Sequence, residues 1–306
     1  MANMVSGKQK VLFSIVIPCY NYATTLPRAI NSVLSQNGND FELLVIDDGS
    51  TDGTLNVVND MLIKEGLLFR FIHQKNKGVS ITRNLGIDET KGSYLIFLDA
   101  DDEMIPDTLK VLRKVISEEG AIGMVVGGHK SITESGYEKE HRARVIPDKP
   151  IDRLKLYLLD KTLMIASSYV AISREVFDNY RFPAHFKASE DIPMFAFILA
   201  NYSVRSVAEP LAIMHKHNDS LRHNVDFANE VGLSLVDEVF DPQRIPGVLQ
   251  KLKGDFLAQR HLSLFRMHFI VGDYHRARAN FHKAIRVKPL VIFRKSYLFK
   301  YIRSWF

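Results

Sequence analysis

Four short apolar runs, each separated from the next by a helical pattern, set the tightest limit on how this chain can fold. They are residues 13–17 (Phe-Ser-Ile-Val-Ile), 41–46 (Phe-Glu-Leu-Leu-Val-Ile), 67–72 and 94–98 (Tyr-Leu-Ile-Phe-Leu). Runs this short and this apolar suit strands buried on both faces of a parallel sheet. After the first, Thr24 and Thr25 are capping residues, Pro27 suits an opening helical turn, and Leu26, Ile30, Val33 and Leu34 recur on one stripe. Thr51 to Ile63 and Val79 to Asp88 read as the next two helices. The alternation predicts an α/β fold with right-handed crossovers, a mostly parallel sheet flanked by helices. Ligands of such sheets gather beyond the carboxyl ends of the strands.

Beyond residue 123 the pattern is mixed. Met124 to Val126, Ser168 to Ile172 and Val204 to Val207 are strand-like, and Asp191 to Ala200 is helix-like. From about 236 the chain turns helical, with amphipathic segments at 255–270 and 273–287 separated by Val271-Gly272-Asp273. Gly272, Tyr274, Ala277, Phe281, Ala284 and Pro289 resemble one tetratricopeptide unit. Solenoids need several stacked copies, and no second copy is visible, so a C-terminal helical hairpin extension is expected. The expected division is 1–235, with halves 1–110 and 111–235, followed by 236–306.

Composition excludes several classes. With 306 residues, 46% hydrophobic and 25% charged, the chain is neither disordered nor fibrous. Its longest apolar run, Met194 to Ala200, is far short of the ~20 residues of a membrane span, and no signal-like segment opens it, so a cytoplasmic location is expected. The single cysteine, Cys19, leaves no disulfide framework or Cys-based zinc site. Any metal must be held by Asp, Glu or His. The net charge of +5 is unevenly spread. After Asp273 there is no acid, while nine Lys and Arg residues follow, and without them the remainder is net negative. That basic tail implies an anionic partner.

Three acidic clusters fall where strands end or helices begin. Asp47-Asp48-Gly49-Ser50-Thr51-Asp52-Gly53 follows an apolar run, and reads either as ligand-binding carboxylates or as a strand-to-helix turn with a cap. Asp99-Ala100-Asp101-Asp102-Glu103 packs four carboxylates into five residues. They repel one another, and such a concentration is tolerable when water or a divalent cation screens it. A solvated acidic loop is the alternative. Glu190-Asp191, ahead of Pro193, suits either proton transfer or simple complementation of a helix dipole.

Taken in order, Phe13 to Asn21 (with Pro18-Cys19-Tyr20-Asn21), Val45 to Asp52, Asn76-Lys77-Gly78 with Arg83-Asn84-Leu-Gly86, Gly92 to Asp102 and Glu190-Asp191 resemble the family 2 glycosyltransferases. The resemblance spans about residues 12–220. It implies a GT-A fold, a nucleoside-diphosphate sugar donor (UDP-sugar first), Mn²⁺ or Mg²⁺, and inversion at the anomeric carbon. By the same resemblance, 1–110 is the nucleotide-binding half and 111–235 the acceptor half. Pro18, Tyr20, Asp47, Asp48, Lys77, Arg83, Asp99 and Ala100 would bind the donor. Asp99 and Asp101 match the family's Asp-x-Asp, with Asp101 as metal ligand and Asp99 on the ribose or metal. Asp191 matches the general base, beside Glu190. The acceptor would be a hydroxyl of a glycan or lipid-linked molecule.

His217, within Pro210 to Ser220, resembles a late family histidine and would be a third metal ligand or a diphosphate contact. Met214 and His215 depart from that segment's usual aromatic and Arg, and Lys216, Arg222 and His223 could instead form a basic flap. Residues 274–306 interleave aromatics with cations, which suits an anionic membrane surface on the inner face of the plasma membrane or a packed helix with a basic edge. A sugar-nucleotide nucleotidyltransferase would need a Gly-rich basic loop after the first strand, where Pro18-Cys-Tyr-Asn stands. A helical scaffold would account for the last ~70 residues alone. Nucleic acid is not expected, since no recognition fold accompanies the basic segment.

Overall fold

The protein, described here by a computed structural model, has residues 11–64, 66, 68–186, 189–216 and 231–306 placed. It comprises two compact units. The first holds the described residues of 1–145, 165–182 and 204–216, and the second those of 146–164, 183–203 and 217–306.

The first unit contains one nine-stranded sheet. Its strands are β1 (Phe13–Cys19), β2 (Phe41–Asp47), β3 (Arg70–His73), β4 (Tyr94–Phe97), β5 (Glu103–Met104), β6 (Met124–Thr133), β7 (Glu138–His141), β8 (Val170–Ser173) and β9 (Val204–Lys216). The order is β3-β2-β1-β4-β8-β6-β9-β5, with β7 paired to β6. The β3-β2-β1-β4 half is parallel, as its apolar runs require. Every residue of β1 is buried. β8 runs antiparallel to both β4 and β6, so beyond β4 the sheet is mixed.

Helices α1 (Leu26–Leu34), α2 (Thr54–Lys64), α3 (Val79–Glu89) and α4 (Thr108–Glu119) flank this sheet. Leu26, Ala29, Ile30 and Val33 form the buried stripe of α1, and Pro27 lies in its first turn. Neither Thr24 nor Thr25 caps it through a side chain; its N-cap, Thr25, is already in helical conformation. α2 starts three residues later than its sequence suggests, because Asp52 accepts from the Thr54 N–H and delays the first turn. α3 lies so close to β1 that a Cβ on Gly86 would stand 2.5 Å from Val16 Cγ1. Phe97 anchors one core region, with edge-on contacts to Phe177 and Phe182 at 6.0 and 5.3 Å.

In the second unit α5 is Pro150–Leu154, α6 Asp191–Asn201, α7 Ser234–Val239, α8 Lys253–Ile270, α9 Tyr274–Val287 and α10 Lys295–Arg303. Residues 193–200 of α6 are all buried, as expected for a helix apolar on every side. α8 and α9 form the expected hairpin, turning at Gly272 with φ 77°. Its core is Ala258, Leu262 and Phe265 against Ala277, Phe281, Ala284 and Val291. Among the described residues no helix is long and apolar enough to cross a membrane.

Candidate active site

Parallel register brings four strand ends to one edge of the sheet. Cys19 pairs with Asp47 and Asp47 with His73, while β4 ends beside Val16. Asn21 follows β1 at φ 63°, a left-handed conformation that asparagine adopts more readily than most residues. From there its Oδ1 accepts from the N–H groups of Thr51 at 2.7 Å and Asp52 at 3.3 Å, and its own N–H donates to Ser50 Oγ at 2.8 Å. Asp52 Oδ2 accepts from the Ala23 N–H at 3.1 Å. The loops after β1 and β2 are thereby bonded to each other.

The two acids at the end of β2 are committed differently. Asp47 is fully buried; it accepts from the Ser50 N–H at 3.1 Å and lies 2.8 Å from His73 Nδ1. Asp48 accepts from Gln74 Nε2 at 2.7 Å and from the N–H groups of Lys77 at 2.9 Å and Gly78 at 2.8 Å. It holds the 74–78 loop and presents Lys77, itself exposed. Burial, reinforced by Asp47, Asp52 and Asp48, pushes the Cys19 thiol far above its ordinary range.

At the end of β4, Asp99 is the more open acid and Asp102 the buried one. Arg83, 5% exposed, donates from Nη2 to Asp99 Oδ1 at 3.0 Å and lies over the Phe182 ring at 5.4 Å. Ser168 joins the cluster from a distant segment, accepting from the Asp99 N–H at 3.2 Å and donating to Asp102 Oδ2 at 2.6 Å. Burial, and then the neighbouring Asp99, holds the Asp102 carboxyl well above the usual carboxylate range despite the Ser168 bond. The Asp101 carbonyl accepts from Arg28 at 2.7 Å, and Arg28 also pairs with Glu103 at 3.2 Å. His215, on β9, lies 2.7 Å from Glu103 through Nε2. Tyr22 faces the same carboxylates. Burial, and then Asp101, Asp99 and Asp102, raises its phenol far above the ordinary range.

Asp99 and Asp101 offer hard carboxylate oxygens, the ligands that Mg²⁺ or Mn²⁺ takes alongside water and phosphate oxygens. Among the described residues no three His, Cys, Asp or Glu side chains converge as a protein-only cage. By their chemistry the two carboxylates suit a hard divalent cation that keeps other oxygen ligands. His217, Arg222 and His223 lie outside the described residues.

In the second unit Ser189 takes φ 65°, Glu190 is buried as the N-cap residue, and Asp191 opens α6 with its side chain partly exposed. A carboxylate in a first helical turn is favoured by the helix dipole.

The first unit thus carries Pro18, Tyr20, Asp47, Asp48, Lys77, Asp99, Ala100 and Asp101 at or just beyond its strand ends, with Arg83 reaching Asp99 from α3. Pro18 and Ala100 are buried, and Tyr20 is exposed. Sequence reasoning missed Asn21, Tyr22, Arg28, Gln74 and Ser168. Asn21 and Tyr22 follow β1 and Gln74 follows β3, but what each does there is set by contacts about 30 residues away or, for Gln74, by the acid at the end of β2.

Residues 14–181, more than half of the chain, match the family model described as Glycosyl transferase family 2. An uncharacterized glycosyltransferase of Rickettsia conorii is 29% identical over 212 residues, covering 69% of this chain and 34% of the relative. The chain thus spans about a third of that relative's length. Among solved structures, Staphylococcus aureus TarS 1–349 in complex with UDP is 19% identical, with TM-score 0.67 over 96% of this chain and 89% of that one. The mannosyltransferase PcManGT of Pyrobaculum calidifontis, in complex with GDP-Man and Mn²⁺, is 15% identical, with TM-score 0.59 over 97% of this chain and 85% of that one. These likenesses show the GT-A type of fold.

Proposed function

The chain belongs to glycosyl transferase family 2, and on that premise we propose that it moves a sugar from a nucleoside-diphosphate sugar to a hydroxyl of a glycan or lipid-linked acceptor, with inversion at the anomeric carbon. The observation that carries this reading is the set of carboxylates at the ends of β2 and β4, those of β4 braced by Arg83 and Ser168. It occupies the edge of the sheet where α/β folds bind nucleotides. A UDP-sugar is the favoured donor, because the Staphylococcus neighbour was solved with UDP. Residues 1–110 serve the nucleotide, 111–235 the acceptor, and 236–306 are an extension.

In this reading Pro18 and Tyr20 flank the nucleoside, Asp47 and Asp48 fix the rim that receives the base, and Lys77 and Arg83 lie toward the phosphates. Asp99 and Asp101 hold Mn²⁺ or Mg²⁺. When bound, such an ion neutralises negative charge that grows on a departing diphosphate. Asp191, seconded by Glu190, takes the proton of the acceptor hydroxyl as the new C1–O bond forms, since a neutral hydroxyl is a poor nucleophile. The sugar passes through an oxocarbenium-like state, and attack from the face opposite the diphosphate inverts C1.

The test is thermal unfolding with UDP-, GDP-, CMP- and dTDP-sugars, with and without Mn²⁺. A ligand at 100 times its dissociation constant stabilises by about 2.7 kcal/mol. Metal-dependent stabilisation by one nucleotide class, lost in Asp101→Ala, is expected. No stabilisation by any of them in the presence of metal overturns the reading.

A further inference from the structure

α10 packs onto the hairpin by one face alone. Tyr297 lies 6.0 Å from the Phe265 ring, and Tyr301 stacks on Phe281 at 4.6 Å while its hydroxyl lies 2.8 Å from His282 Nε2. Ser304, three residues on, is buried, and its carbonyl accepts from Arg278. Residues 297, 301 and 304 recur at spacings of four and three, so they define the inward stripe. Lys295, Phe299, Ile302 and Arg303 recur at four, three and one, and fall on the opposite side. That side is open: Phe299 is 62% and Ile302 50% exposed.

The turn before α10 repeats the arrangement. Val291 points into the hairpin core, while Leu290 and Phe293 stand 68% and 76% exposed. An outward stripe of large apolar side chains is the inverse of what a water-facing helix carries. The charge around it has one sign. Among the described residues, only Arg276 (with Asp273) and Lys288 (with Asp255) of the nine cations after Asp273 pair with a carboxylate. Arg278 lies 4.4 Å from the Trp305 ring centroid, and Trp305 is itself exposed.

We propose that Phe293, Phe299 and Ile302, flanked by Lys295 and Arg303, form an interfacial docking face for an anionic lipid bilayer. Apolar side chains enter the acyl boundary, and the flanking cations meet lipid phosphates at headgroup level. Acidic peptide surfaces also attract cations, but charge alone leaves the exposed Phe299 and Ile302 of the stripe, and Phe293 in the turn before it, uncovered. The inference is independent of the transferase reading, because it needs neither donor nor metal.

The experiment is flotation of the full chain with phosphatidylcholine vesicles, alone or with 30% phosphatidylglycerol (about a third), at low and high salt. Binding to the anionic vesicles that weakens with salt is expected. Each surface cation removed lowers partitioning about fivefold, so Lys295→Gln/Arg303→Gln should lose tenfold or more. Phe299→Ser/Ile302→Ser should lose binding even at low salt, with its unfolding temperature retained because neither side chain is in the core. Equal affinity for neutral and anionic vesicles, no binding to either, or unchanged binding by both double variants overturns the proposal. So does a change from dimer to monomer in the apolar variant with vesicle binding intact, which would assign the face to a second copy.

Discussion

Arg83 donates to Asp99 at 3.0 Å while its guanidinium lies over the Phe182 ring, so a nearly buried cation fixes the more open acid of the cluster. Lysine keeps the charge but loses the planar stack and the donor fork. Arg83→Lys should lower stability by about 1–2 kcal/mol, a range reduced because Asp99 is partly solvated, and should weaken donor binding. Urea unfolding with nucleotide titration measures both, and an unchanged midpoint would show the pair to be an ordinary surface bridge.

Asp48 gathers two backbone N–H groups and the Gln74 amide. An asparagine there must turn an NH₂ group toward at least one of these donors. Asp48→Asn should cost about 1–3 kcal/mol, the penalty of unsatisfied buried donors, with faster hydrogen exchange at Lys77 and Gly78. Wild-type exchange at those two amides would refute the tether.

Gly86 is set by packing. With Val16 Cγ1 2.5 Å from the site of a Cβ, Gly86→Ala should destabilise by about 1–3 kcal/mol. Adding Val16→Ala should give a double variant less destabilised than the sum of the singles. Strict additivity would mean that α3 simply slides outward.

The Asp40 carboxyl is held below its ordinary value, first by the Arg113 side-chain bonds at 2.8 and 3.0 Å. A depressed carboxylate adds stability that is complete above its unfolded pKa of about 3.9 and is lost as pH falls through the lower folded value. The stability difference between wild type and Arg113→Met should therefore be constant at neutral pH and narrow below about pH 4. Acid titration of both proteins decides it; a difference that does not narrow excludes the ion pair as the source.

Asp191 is assigned by resemblance and by its place at the start of α6. Asp191→Asn should reduce turnover by about 10²–10⁴-fold, the usual worth of a positioned base, with donor affinity unchanged. Retained turnover would remove Asp191 from the reaction.

The parallel half of the sheet was legible because β1, β2 and β4 are short apolar runs that no other element suits. The mixed half was legible only in part, through the strand-like 124–126, 168–172 and 204–207, which overlap β6, β8 and β9. β6 continues from Met124-Val125-Val126 through Gly127, Gly128, His129 and Lys130, and β9 carries Pro210 in mid-strand, so both lose the strand signal while the sheet persists. β9 tolerates the irregularity because its register against β6 shifts around Gly128. The acids of the site were visible as clusters, since like charges at that density are conspicuous. Their neutral supports were not. Ser168 reaches Asp102 across 66 positions, and Asn21 matters through a left-handed backbone and partners about 30 residues away. No local pattern encodes either.

Cys19 closes β1 at the rim of the site, buried, with its thiol held protonated by its surroundings. Because the thiolate is the species that reacts, the one native sulfhydryl should be inert toward maleimides in the folded protein. A cysteine introduced at an exposed position, such as Lys295, would then carry a fluorophore or spin label alone. The wild-type background is in effect already cysteine-free for labelling, and slow modification of Cys19 itself would report opening of the sheet.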